Sequence, residues 1–84
     1  MAEKTQLSEL IERKKQEAYR AHEERILRRH EVEHKTGLAR SSIYELIADG
    51  KFPKPVRLTS HSVGWLASEI EAWIAERVAE RDAA

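Results

Sequence analysis

The sequence predicts a mainly α-helical domain with a small β-hairpin, arranged as a winged helix-turn-helix preceded by an extra N-terminal helix. Three observations carry this expectation. Two short helical stretches each end on a glycine, Gly37 and Gly50. A proline-punctuated run, KFPKPVRLTSHSVGWL, then changes the character of the chain. The last segment repeats apolar residues at helical spacing. With 84 residues there is material for one folded core. The chain divides into residues 1–24, a helical extension, and 25–84, the helix-turn-helix with its wing.

Residues 5–24, TQLSELIERKKQEAYRAHEE, lack Gly and Pro and consist mostly of strong helix formers. Leu7, Leu10, Ile11 and Ala18 fit one side, but Lys14 interrupts the stripe, so the apolar face is thin. Three roles stay open for this helix: a solvated element, a dimer contact, or an arm flanking DNA.

The next unit begins at Ile26-Leu27. Its first helix is expected from His30 to Thr36, with Gly37 as a left-handed cap, and Leu38-Ala39 complete the turn. A second helix is expected from Arg40 to Asp49, ending at Gly50. Ile43, Leu46 and Ile47 give it one apolar face, while Ser41, Tyr44, Glu45 and Ala48 point away and Arg40 and Ser42 lie on the borders. Pro53 and Pro55 then forbid a helix, and Val56-Arg57-Leu58 and Ser62-Val63-Gly64-Trp65 read as the strands of a hairpin around Thr59-Ser60-His61. Simple alternation places Val56, Leu58, Val63 and Trp65 on one face and Arg57, Ser62 and Gly64 on the other. Leu66, Ile70, Trp73, Ile74 and Val78 mark a final amphipathic helix to about Arg81, with Ser68 and Glu71 positioned for a capping box should the helix start late.

Composition narrows the function. There is no Cys, which excludes disulfides and thiolate metal sites. The sequence has no apolar run of membrane-span length and no signal-peptide core, so the cytoplasm is the expected location. A formal net charge of zero conceals an uneven distribution. Residues 25–65 hold eight Lys/Arg against four acids, a net of +4, between acidic flanks of −1 and −3. A basic centre of this kind suits a polyanion.

His30-Glu31-Val32-Glu33-His34 fits the H-E-x-x-H pattern of zinc metalloproteases. On a helix the two imidazoles share a face, with Glu31 beside them. A third ligand would have to come from His22, His61 or a carboxylate at no recognisable spacing, and the motif is crowded by Arg28, Arg29, Glu33 and Lys35. With 13 Glu and four His in the chain, chance supplies such a match in roughly 3% of shuffled sequences, so the motif alone is weak. Val32 is the large apolar residue of this short helix, and its burial is expected to orient it. His30 and His34 are then partly exposed companions open to adventitious metal, and no cofactor, small-molecule substrate or catalytic reaction is expected.

Two short helices joined by a Gly-containing turn, the second with one buried and one free face, meet the requirement of helix-turn-helix DNA recognition. Arg40, Ser41, Ser42 and Tyr44 offer hydrogen-bonding side chains to base edges and phosphates. Lys51, Lys54 and Arg57 lie on the approach to the wing, where phosphate contacts or minor-groove insertion would fix register. Lys35 is a further candidate for a phosphate.

The stretches KTGLARSSIYELIADGKFPKPVRL and SVGWLASEIEAWIAER closely resemble the AlpA family of phage and prophage transcriptional regulators, small winged-helix proteins akin to excisionases and the MerR DNA-binding domain. The resemblance runs from about Arg25 to Arg81, carried by TGL, SxIYxLI, FPKPV and VGW. It implies a regulator of mobile-element genes such as an integrase or excision function. It assigns DNA reading to Arg40, Ser41, Ser42 and Tyr44, wing contacts to Lys54, Arg57 and the tip Ser60, His61 and Ser62, and core positions to Trp65 and Trp73. Two residues depart from the pattern. Ala39 stands where the family often has Ser, so a helix N-cap worth about 0.5–2 kcal/mol is absent or moved to Ser41 or Ser42. His61 stands where Arg is common, which makes wing-tip charge, and with it DNA affinity, fall above about pH 6.5. The expected partner is double-stranded DNA, bound by a homodimer or by several copies on adjacent sites. Alternatives are an excisionase-type factor that bends DNA and an interaction module that holds a partner protein through its terminal helices.

Overall fold

Trp65 lies on the middle strand of a three-stranded antiparallel sheet, and the helices of the domain are arranged around it. The computed structural model describes residues 6–20 and 24–84, with side chains for all of them except 14–20. The elements run α1 (Gln6–Arg20), β1 (Ile26–Leu27), α2 (Arg29–Thr36), α3 (Arg40–Ala48), β2 (Val56–Thr59), β3 (Ser62–Leu66) and α4 (Ala67–Ala83), with strand order β1-β3-β2. The domain is thus mainly helical with a small sheet, as expected. In α1, Leu7, Leu10 and Ile11 are exposed. The stripe residues Ala18 and Lys14, the flanks of the expected helix at 5 and 21–23, and His22 fall outside what is described.

The helix-turn-helix is fixed by its two glycines. Gly37 adopts φ 73° and donates its N–H to the Glu33 carbonyl at 2.8 Å, closing α2 with a left-handed cap. The Thr36 hydroxyl donates to the Val32 carbonyl at 2.8 Å and accepts the Leu38 N–H at 3.2 Å, so the turn is braced from within. Gly50 adopts φ 70°, and the N–H groups of Gly50 and Lys51 reach back to the carbonyls of Ile47 and Leu46 at 3.0 and 2.8 Å. That pair of bonds stops α3 in a Schellman motif and turns the chain toward the wing.

Nearly every element behind that turn gives one residue to the core. Leu27 from β1, Val32 from α2, Ile43 from α3, Phe52 from the following loop, Trp65 from β3 and Ile70 from α4 are all buried, with Leu38, Leu46, Ile47, Val63, Ala67, Trp73 and Ile74 packed around them. Val32 is fully buried, so packing does orient α2. Val78 is 41% exposed, because α4 runs on to Ala83 past the elements that cover its first turns.

Three details differ from the sequence expectations. Leu66 ends β3, and α4 begins at Ala67. Its first turn is held from a distance: the Glu24 carboxylate accepts the Ser68 N–H at 3.0 Å and the Ser68 hydroxyl, and the Arg25 carbonyl accepts the Ala67 N–H at 2.9 Å. This takes the place of a Ser68–Glu71 capping box. β1 was not anticipated; Ile26 pairs with Leu66 and Leu27 with Trp65. The faces of the hairpin are also exchanged. A two-residue turn at Ser60-His61 sets Thr59 opposite Ser62, but a bulge between Arg57 and Thr59 shifts the register, so Arg57 pairs with Val63 and Val56 with Gly64. A slip of one residue moves every side chain to the opposite face. Arg57 therefore shares the Val63 and Trp65 side. Val56 and Leu58 lie on the outer side with Gly64, and are 38% and 40% exposed.

Candidate nucleic-acid interface

Helix α3 divides into a buried and a free side. Ile43 is fully buried and Leu46 and Ile47 half-buried, while Arg40, Ser41, Tyr44, Glu45 and Ala48 are exposed and Ser42 is intermediate. The helix starts at Ala39, in extended conformation, with no side-chain cap. Neither Ser41 nor Ser42 replaces the missing N-cap, so the first-turn N–H groups beside Arg40 are left for an outside acceptor. The Arg40 guanidinium lies 5.9 Å from the Tyr44 ring centre, and Tyr44 meets Trp65 edge-on with centroids 6.5 Å apart. Tyr44 thus ties the free side of α3 to the core, and Arg40 is held over it.

The wing tip is short and internally bonded. The Thr59 and Ser62 hydroxyls are 2.6 Å apart, and the Thr59 hydroxyl accepts the His61 N–H at 3.2 Å. Ser60 and His61 are exposed and Ser62 is half-buried. His61 and Ser62 meet Tyr44 across a cleft of about 350 Å³, whose far wall is Arg28, Arg29 and His30 at the start of α2. Arg28 and Arg29 were not singled out from the sequence. In the sequence they count as basic residues that crowd the histidine motif, and nothing local shows that the start of α2 faces the wing.

Lys51 and Lys54 sit on a loop that both tryptophans hold. The Trp73 indole N–H donates to the Lys51 carbonyl at 2.8 Å and that of Trp65 to the Pro53 carbonyl at 2.9 Å, while Phe52 packs edge-on against Trp73 at 5.0 Å. Lys54 is exposed. Lys51 lines a groove against α4 with Trp73, Glu69, Glu76 and Glu80, away from the Arg40–Tyr44 face. Lys35 forms an ion pair with Glu71 and lines a third cleft with Arg25, His30, Glu31 and His34.

The carboxylate of the H-E-x-x-H stretch has a structural post. Glu31 accepts the Arg28 N–H at 3.0 Å and pairs with Arg25. Its pKa lies below the usual glutamate value, first because of the bond from the Arg28 backbone and then because of Arg25 and His30. Among the described residues, no group of three or more His, Cys, Asp or Glu is arranged to hold a metal ion. No helix among them is long and apolar enough to cross a membrane.

Comparison with known proteins bears on the family of the chain. The family model described as prophage CP4-57 regulatory protein (AlpA) matches residues 25–78. A protein of Enterobacteria phage P4, named uncharacterized protein ORF88, is 54% identical over 59 residues, covering 70% of this chain and 67% of that one. The DNA-binding transcriptional activator AlpA of Escherichia coli (strain K12) is 42% identical over 59 residues, 63% of this chain and 84% of that one.

Proposed function

Because the chain belongs to the AlpA family of prophage regulatory proteins, we propose that it is a sequence-specific DNA-binding transcriptional regulator, acting in the cytoplasm on phage or mobile-element genes such as an integrase or excision function. The observation that carries the reading is the free side of α3. With Ile43 buried, the helix presents Arg40, Ser41 and Tyr44 outward, continuous with a wing tip made of Ser60, His61 and Ser62. A helix seated this way enters the major groove, where an arginine reads guanine bidentately and hydroxyls reach phosphates or base edges. Arg57, turned by the bulge to the Trp65 side, and Lys54, on its pinned loop, supply flanking phosphate contacts. Lys51 and Lys35 contribute less, since acidic side chains of α4 already stand beside them. Binding, without a catalytic step, accounts for the site. Single modules bury only about 600–1,000 Å² of protein surface, so a homodimer or several copies on adjacent sites is part of the proposal.

The test is an anisotropy titration with a cognate fragment and a random duplex. Arg40→Ala is expected to weaken cognate binding by about 1–3 kcal/mol and random binding far less, whereas Lys54→Ala weakens both and lowers the salt slope by about one. Unchanged discrimination in the Arg40 variant would remove α3 from the reading.

A further inference from the structure

We propose that Arg28 and Arg29 at the start of α2, with Tyr44 of α3 and His61 of the wing tip, form a clamp for a backbone phosphodiester of DNA. The proposal rests on the DNA-binding reading above and adds Arg28 and Arg29, which neither the motif nor the family resemblance assigns to DNA, to the contacts of Tyr44 and His61. Its basis is convergence. Three elements far apart in sequence deliver donors to the walls of one cleft: two guanidinium groups, the Tyr44 hydroxyl and the His61 imidazole, with Ser62 beside them.

These donors are largely unspent. Among the described residues, the Arg28 guanidinium, the Tyr44 hydroxyl and the His61 ring have no hydrogen-bond or ion-pair partner. Arg29 has one: its Nε lies 3.3 Å from a Glu33 carboxylate oxygen, close enough for an ion pair but without hydrogen-bond geometry, and the Nε itself is buried. That contact fixes the stem of Arg29 against α2. A buried polar atom left without a hydrogen bond is costly, and a phosphate oxygen entering the cleft supplies an acceptor to this group of donors.

Charge selects this cleft from its neighbours. The groove beside α4 sets Glu69, Glu76 and Glu80 against Lys51 and Arg77, and the cleft beside His34 holds Glu31 among Arg25, His30, His34 and Lys35. The cleft below the wing has no carboxylate in its lining. The two acids of α2 are held: Glu31 by Arg25 and the Arg28 N–H, and Glu33 by Arg29. Position selects the ligand. Tyr44 belongs both to this cleft and to the Arg40 surface, so an anion gripped here lies next to the bases that α3 reads. On a duplex, that anion is the phosphate at the border of the same groove.

The experiment uses the 84-residue chain, a mixed-sequence DNA duplex and a salt series, so no operator need be known. Arg28→Gln with Arg29→Gln is expected to reduce affinity on the order of tenfold at low salt, and to lower the slope of log K against log salt by about one. Arg25→Gln removes the same kind of charge from a neighbouring site where Glu31 already neutralises it, and is expected to leave the slope unchanged. His61→Gln should also weaken binding at low salt. If the wild-type protein binds no duplex at low salt, the DNA-binding reading falls and the clamp with it. If the wild type binds but the double variant keeps its affinity and slope, or if Arg25→Gln weakens binding equally, the clamp is wrong and the DNA-binding reading stands. Unfolding curves for each variant separate lost contacts from lost folding.

Discussion

Gly64→Ala tests the packing of the wing at a single atom. A Cβ at Gly64 would lie 2.2 Å from Cγ2 of Ile26, 3.1 Å from the Leu27 carbonyl oxygen and 3.2 Å from Cδ1 of Leu58. Carbon atoms attract at about 3.5–4.0 Å, so the first contact is short by more than about 1 Å. Relief is limited. Cγ2 belongs to a β-branched side chain with a stiff χ1, and Ile26 is anchored by its pairing with Leu66. Forcing a methyl into such a site costs about 1–3 kcal/mol, and for a domain of this size each kcal/mol lowers Tm by about 4–8 °C. A fall on the order of 5–20 °C is therefore expected in thermal unfolding followed by circular dichroism. Ile26→Ala removes the clashing methyl, so Gly64→Ala should cost at least about 1 kcal/mol less in that background. Melting within about 2 °C of the parent, or simple additivity of the two substitutions, would refute the argument.

Trp73→Phe keeps a ring against Phe52 but removes the donor to the Lys51 carbonyl. Urea unfolding should show a loss of about 0.5–1.5 kcal/mol, with faster amide hydrogen exchange at Lys51, Phe52 and Lys54. A stability equal to the parent's would show that the indole bond does not hold that loop. Glu24→Gln addresses the distant cap on α4. The Glu24 pKa is lowered from 4.5, chiefly by the Ser68 hydroxyl and then by the Ser68 N–H. A carboxylate with a depressed folded-state pKa stabilises the fold above its unfolded value and loses that effect as pH falls through the folded one. The gap in Tm between wild type and Glu24→Gln should thus be open at pH 7 and close on acidification below 4.5. A gap that persists in acid would assign the effect to something other than charge.

What could be read from the sequence was what depends on neighbours in the chain. Gly37 and Gly50 announce their left-handed caps, Val32 is the single large apolar residue in a helix that must bury something, and Ile43, Leu46 and Ile47 fix which side of α3 is free. Two-residue β1 has no periodicity to detect. The Glu24–Ser68 bond joins residues 44 positions apart, and no local pattern signals it. The hairpin misled because simple alternation across Thr59-Ser60-His61 put Leu58 on the Val63 side. The bulge that places Arg57 there instead is a matter of backbone geometry, and the letters VRLT do not encode it in any periodic form. The site shows the same division. Arg40, Ser41 and Tyr44 follow from the helical period, whereas Arg28 and Arg29 gain their place through the way α2 meets the wing.

The strand order β1-β3-β2 leaves two outer edges, and an open edge invites a neighbour to anneal along it. One edge is only two residues long and passes almost at once into α2. The other is four residues, entered from Pro55, kinked at its bulge and carrying the charge of Arg57. Neither offers a flat row of free amides and carbonyls. Copies of this domain can therefore approach one another closely without zipping their sheets together.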